Sequence, residues 1–191
     1  MRFVMAGLAM VVALVAAPAA VGAVSLFGYR NTGVIEIQET SPAADKMTVT
    51  ARFPDGLYFT DSAGISGTDA PCSQVDAQTA LCTVPGTTGL NFNLERKNDR
   101  VAVDLPSDPA LELFRYKYAL GDGNDRFSGG IYPEEVSSGV GKDRLFGGAG
   151  NDSLSGGKDA DRLDGGDGED ACNGGPDKDQ ATSCESVKGI P

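Results

Sequence analysis

The chain contains no histidine and no tryptophan, and aromatic residues make up only 7% of its 191 residues. Without histidine there is no base for Ser–His–Asp or Cys–His nucleophilic chemistry, and no ligand pair for an HExxH zinc helix. Structural zinc is disfavoured further because no C-x2-C spacing occurs. A G-x-S-x-G nucleophile elbow is also missing; Gly64-Ile65-Ser66-Gly67-Thr68 comes nearest and ends in threonine. Lys and Arg form no clustered run, and 27 acids against 16 bases leave a net charge of −11. That balance carries no visible footprint for phosphate backbones, so nucleic acid is not an expected partner. Paired carboxylates could hydrolyse glycosides, but only residues 24–118 would be available to build such a site. The expectation is a protein that is not an enzyme.

Acidic, aromatic-poor chains are often disordered, because they bury too little apolar surface to offset chain entropy. Two features argue for order here. The first concerns the compartment. Arg2 precedes an uncharged run of apolar and small residues from Phe3 to Val24. Ala17-Pro18-Ala19 and Val21-Gly22-Ala23 supply small-residue cleavage sequences, so residues 1–23 read as a secretory signal peptide. The run is long enough for an uncleaved anchor, but Pro18 and the alanine-rich end favour cleavage. No cysteine near either site could carry a lipid. The mature chain is expected to be secreted, with no stable membrane insertion. Four cysteines suit that compartment as disulfides. Of the three pairings, the local one, Cys72–Cys82 with Cys172–Cys184, is favoured because each pair occupies its own region.

The second feature is a repeat. From Leu120 the chain divides into seven nonapeptides without insertion: LGDGNDRFS, GGIYPEEVS, SGVGKDRLF, GGAGNDSLS, GGKDADRLD, GGDGEDACN and GGPDKDQAT. Position six is acidic throughout: Asp125, Glu134, Asp143, Asp152, Asp161, Asp170 and Asp179. Position eight is Phe127, Val136, Leu145, Leu154, Leu163, Cys172 and Ala181. A disordered linker has no reason to keep such a register.

Glycines at positions one, two and four permit tight turns. The last three residues predict a short strand whose middle side chain points inward. Two units then make one coil, and stacked coils assemble a thin apolar core from position eight. Turns alternate between two edges, so turns eighteen residues apart become neighbours. Asp125, Asp143, Asp161 and Asp179 line one edge, and Glu134, Asp152 and Asp170 line the other. Carboxylates stacked at a strand spacing of about 4.8 Å repel unless a cation intervenes. Carboxylate and carbonyl oxygens suit Ca²⁺ better than a transition metal. From Ala119 to Glu185, eleven Asp and four Glu face three Lys and three Arg, a net charge of −9. Neutralising it takes four or five divalent ions. The stacking offers three intervals on the first edge (125/143, 143/161, 161/179) and one sound interval on the second (152/170).

The pattern G-G-x-G-x-D-x-U-x, matched at every specified position by Gly147–Ser155, resembles the hemolysin-type or RTX calcium-binding repeat. The resemblance covers about a third of the chain. It implies a right-handed parallel β-roll that holds about four Ca²⁺ between turns. The implied side-chain ligands are Asp125, Asp143, Asp152, Asp161, Asp170 and Asp179. The implied turn carbonyls lie around Gly121, Gly123, Gly139, Gly141, Gly148, Gly150, Gly157, Gly166, Gly168 and Gly175. Some units depart from the pattern. Tyr132, Pro133 and Glu134 make the second unit an expected blank. Asp159 and Asp177 occupy glycine positions, where Asp tolerates left-handed backbone better than most residues. An EF-hand fails on spacing: a loop from Asp159 meets Leu163 and Asp170 where it needs an oxygen ligand and a glutamate.

Upstream, GVIEIQE, KMTVTARF, GLYFTDS, LNFNLE and RVAVDL alternate apolar and polar residues like strands. Asn98-Asp99-Arg100 echoes Asn124-Asp125-Arg126 at an offset of 26 residues. Residues 24–118 are therefore a β-rich region, either a solenoid continuing from near Leu90, with Asp99 as a vestigial turn acid, or a sandwich ending near Pro106. Such a region holding a C-x9-C pair, followed by repeats that end in Cys184-Glu185, resembles small secreted bacterial calcium-binding proteins. Residues 119–185 form the roll and 186–191 a tail. The function expected is calcium binding with calcium-dependent folding. A cell-wall or surface-adhesion module is the alternative, and a secreted hydrolase is disfavoured. Ordered outward Thr or Asn ranks, which an ice-binding face needs, are absent.

Overall fold

Period-nine alternation sends successive units to opposite sheets, and this arrangement is what the computed structural model shows. It describes residues 24–27, 34–39, 46–52, 56–61, 65–68, 72–74, 78–82, 89–94, 96–109, 111–112 and 114–190. The leader expected over 1–23 lies outside the described residues. In chain order the strands are β1 (Val24–Phe27), β2 (Val34–Glu39), β3 (Lys46–Arg52), β4 (Gly56–Asp61), β5 (Ile65–Thr68), β6 (Cys72–Gln74), β7 (Thr79–Cys82), β8 (Gly89–Asn93) and β9 (Arg100–Asp104). They continue with β10 (Arg115–Ala119), β11 (Arg126–Ser128), β12 (Glu134–Val140), β13 (Arg144–Ala149), β14 (Ser153–Lys158), β15 (Arg162–Asp167), β16 (Ala171–Asn173), β17 (Gln180–Thr182) and β18 (Ser186–Lys188). Among the described residues there is no helix long and apolar enough to cross a membrane.

Two sheets result, ordered β18-β16-β14-β12-β10-β8-β2-β1-β5 and β17-β15-β13-β11-β9-β3-β4-β7-β6. From the C-terminal end as far as β2 and β3 every pairing is parallel, and the architecture is the β-roll expected from the repeat. Phe127 stacks on Leu145, Leu145 on Leu163 and Leu163 on Ala181, each eighteen residues apart. Val136, Leu154 and Cys172 form the matching column on the other sheet. The upstream echo is one wider coil: Leu90 pairs with Tyr116 and Val101 with Phe127, both at 26 residues. The parallel ladder reaches further still, since Ile37 pairs with Phe92 and Val49 with Val103. Antiparallel pairings then enter each sheet, β1 on β2 with β5 parallel to β1 at the edge, and β4, β7 and β6 beyond β3. These strands cover the open parallel edge that a solenoid end would otherwise present.

Two details sharpen the expected picture. The strands β12 to β15 run six or seven residues, longer than the three expected, because the first residues of the next unit, Ser138-Gly139 in β12 and a glycine pair in the others, stay in the strand. Gly139 pairs with Gly157 and Gly148 with Gly166. The core also tapers. Phe59, Phe92, Tyr118 and Phe127 form a chain of ring contacts with centroids 4.7–6.1 Å apart. Past Phe127 the interior narrows to Val136, Leu145, Leu154, Leu163 and Cys172.

Cys172 and Cys184 form a disulfide across a Cα separation of 6.0 Å. Cys82 is disulfide-bonded, and Cys72 stands opposite it in the β6–β7 register. The Cys72 side chain lies outside the described residues.

Candidate metal centre

Every position-six acid is buried, including Asp125, Glu134, Asp143, Asp152, Asp161, Asp170 and Asp179. Burial follows from the strand that each acid opens: position eight points inward, so position six, two residues earlier, does too. A buried carboxylate must find donors, and the stacked coils supply one each. The Asp125 amide donates to Asp143 Oδ1 at 2.8 Å, Asp143 to Asp161 at 2.9 Å and Asp161 to Asp179 at 2.8 Å. On the second edge, Glu134 donates to Asp152 Oδ1 at 2.8 Å and Asp152 to Asp170 Oδ1 at 2.7 Å. The two rows expected from the repeat are therefore two continuous ladders.

Each ladder extends beyond the repeat. Asp99 heads the first, its amide donating to Asp125 Oδ1 at 2.7 Å. Glu185 ends the second, its Oε2 accepting from the Asp170 amide at 2.6 Å. Glu185 was missed as a site residue because it lies only fifteen residues past Asp170, outside the eighteen-residue period. An outer ladder runs beside the inner one: Asn98 Oδ1 accepts from the Asn124 amide at 2.7 Å, and Asn124 Oδ1 from the Lys142 amide at 2.9 Å.

The amide ladder uses Oδ1 of each aspartate, whereas Glu134 Oε1 accepts from the Gly130 amide of its own turn at 3.1 Å. The other oxygen, Oδ2 of Asp143, Asp152, Asp161, Asp170 and Asp179 and Oε2 of Glu134, is buried without a donor among the described residues. Burial raises the carboxyl pKa values of Asp143 and Asp152, and the cross-coil amide bonds only partly oppose it. Asp161 is pushed up to about 6, first by burial and then by the charges of Asp143, Asp179 and Asp159. Glu134 rises to about 9, first by burial and then by Asp152. Rows of desolvated, donor-poor anionic oxygens suit a hard divalent cation. Among the described residues no three acidic or sulfur side chains converge at one point. Side chains alone therefore give a cation no more than one or two carboxylates at any point, and further oxygens would have to come from main-chain carbonyls.

The turns place those carbonyls. Gly139, Gly141, Gly148, Gly150, Gly157, Gly166, Gly168 and Gly175 have positive φ, as does Gly121, whereas Gly123 does not. A Cβ on Gly139, Gly148, Gly157 or Gly166 would strike the carbonyl of the glycine one coil earlier. Asp159 takes φ 74° at its glycine position, and Asp177 stays out of the left-handed region.

Position one was also missed. A Cβ on Gly165 would lie 2.5 Å from Asp170 Oδ2, and one on Gly174 2.6 Å from Asp179 Oδ2. These glycines keep open the space beside the donor-less oxygen. Gly165→Ala should cost about 1–3 kcal/mol through overpacking, read as a lower thermal midpoint of the calcium-loaded chain. The exceptions are Leu120 and Ser138, and the buried Ser138 hydroxyl donates to the Gly156 carbonyl at 2.7 Å.

The second unit differs in kind. Tyr132 is buried, stacks on Tyr116 at 5.7 Å, accepts from the Asp108 amide at 2.7 Å and donates to the Pro106 carbonyl at 2.8 Å. That turn anchors the connection between β9 and β10, which a GGxGxD turn would leave unheld.

Among known proteins, no curated sequence and no solved structure matches this chain. Residues 137–180 match the family model of the RTX calcium-binding nonapeptide repeat, in four copies. Stacked glycine turns, two ladders of buried carboxylates and this match lead to one conclusion: the protein carries an RTX-type calcium-binding repeat array.

Proposed function

We propose that this is an exported, non-enzymatic calcium-binding protein whose roll is folded by the ions it holds. The observation that carries the reading is the row of buried carboxylate oxygens without donors. Calcium supplies positive charge and oxygen coordination at such oxygens. Asp125, Asp143, Asp161 and Asp179 would hold ions along the first edge, and Asp152 and Asp170 along the second. About four ions are expected, with the first edge filled more completely, because Tyr132 and Pro133 replace the usual turn residues of the second unit. Binding energy then becomes folding energy. The aromatic coils near Phe92 and Tyr118 bury more apolar surface per coil than the Leu and Val coils, so the dependence on calcium should be greatest after Val136. The missing histidine supports a role without catalysis, and the apolar run to Val24 supports export.

The test is circular dichroism of the chain in excess chelator and during calcium addition. Gain of β-signal with calcium is expected, reversed by chelator. An array fully β-structured in chelator, with calorimetry detecting no bound ion, would overturn the reading. A surface-contact role for the same solenoid is the alternative, favoured by the sheet face described next.

A further inference from the structure

The sequence shows no basic patch, yet the fold builds one. Arg100, Arg126, Arg144 and Arg162 are consecutive partners across β9, β11, β13 and β15. Their sequence spacings are 26, 18 and 18, so nothing clusters until the coils stack. Lys46 holds the next register position beyond Arg100. All four arginines are exposed. Among the described residues the ion pair is Lys117–Glu135, on the opposite sheet, and none of the four guanidiniums joins one. Like charges directly opposite on neighbouring strands destabilise a sheet. This chain, with 27 acids available, nevertheless leaves the column unneutralised.

The column forms one wall of a groove of about 490 Å³ along the sheet. The other wall includes Ser128, Phe146, Asp164 and Thr182. Phe146 is 44% exposed, one of four large apolar side chains exposed among the described residues. Asp164 Oδ1 is buried in that wall without a donor. The two walls thus ask for different chemistry. One presents evenly spaced guanidiniums, whose planar forks match carboxylates. The other offers an aromatic face, hydroxyls and the Asp164 carboxylate, which repels an anion.

We propose that this groove binds an acidic polysaccharide lengthwise, with sugar carboxylates on the arginine column and sugar hydroxyls and ring faces on the Phe146–Asp164 wall. The strand repeat of about 4.8 Å is also the scale of one pyranose residue, so successive sugars can meet successive arginines. A phosphodiester polymer satisfies the arginines but leaves Asp164 opposed. The site deepens the surface-contact alternative and requires the roll to be folded, whatever folds it.

The test is calorimetry on the full chain in calcium buffer, after circular dichroism has established that it is folded. The probes are a galacturonic acid hexamer, the neutral maltohexaose and a thymidine hexanucleotide. The acidic hexamer should bind, the neutral one should not, and affinity should fall as salt rises. R126Q/R144Q should weaken binding at least tenfold with an unchanged dichroism spectrum, and R126K/R144K should retain part of it. No binding of the galacturonate, undiminished binding by R126Q/R144Q, or equal or tighter binding of the thymidine oligomer would each overturn the proposal. Failure of the calcium titration is a separate outcome, because a roll that folds without calcium still presents the arginine column for this measurement.

Discussion

In excess chelator the Asp161→Asn chain should hold more β-structure than the parent, and in excess calcium the order should reverse. Asp161 sits at the middle of the first ladder, between Asp143 and Asp179. Asparagine keeps the oxygen that accepts from the Asp143 amide, so the ladder survives. It removes a buried charge that the fold disfavours, as the upward shift of the Asp161 carboxyl to about 6 indicates. Neutralising that charge is worth on the order of 1 kcal/mol to the calcium-free chain. With calcium present, the same change removes an anionic ligand from two intervals, 143/161 and 161/179, and the calcium-induced rise in melting temperature should shrink. Paired melts in chelator and calcium check both halves. Asp161→Ala is the control: it leaves the Asp143 amide buried without its acceptor, which costs about 1–3 kcal/mol, and should weaken the fold in both buffers.

Loss of the Cys172–Cys184 bridge should release the last coil selectively. Cys172 fills the position-eight place of its unit, where a large apolar residue is usual, and the disulfide ties it to Cys184 twelve residues on. Cys184 is followed at once by Glu185, the acid that ends the second ladder at Asp170. The Glu185 and Ser186 amides both donate to the Asp170 carbonyl at 3.0 Å. Opening a loop of this size costs about 3 kcal/mol by chain-entropy reasoning. In a solenoid that cost falls on the terminal coil, because each coil contacts only its neighbours. Hydrogen exchange of Cys172→Ser/Cys184→Ser should therefore show lost protection at the amides of Asp170, Ser186 and Gly174, with protection at the Phe127 and Leu145 coils retained. Uniform loss across the roll would contradict the capping role.

Much of this was legible from residue types because the period of nine is unbroken. It determined which residues point inward, which turns become neighbours and why Leu145 stacks on Leu163. The 26-residue echo held for a physical reason: Asn98, Asp99 and Arg100 each join a different column of the stack. The parts that were not legible depend on contacts between coils or on broken periodicity. The Ile37–Phe92 and Val49–Val103 pairings span 55 and 54 residues across irregular sequence, so no repeat announces them. The acids were expected to face one another across cations. In the fold each aspartate also accepts an amide from the preceding coil, a bond visible only once side-chain direction is known. The position-one glycines could have been found, since five of the seven units place glycine five residues before a buried acid. The Arg126, Arg144 and Arg162 column follows from the same eighteen-residue rule that lines up the acids one residue earlier, and only Arg100 needs the wider coil.

The central claim is that the buried carboxylate ladders are calcium sites whose occupation folds the roll. The calcium stoichiometry of the purified chain, measured by calorimetry with dichroism followed in parallel, tests it most directly. The account predicts about four ions, bound as the β-signal appears. Zero or one ion, or ions bound with no change in structure, would contradict it.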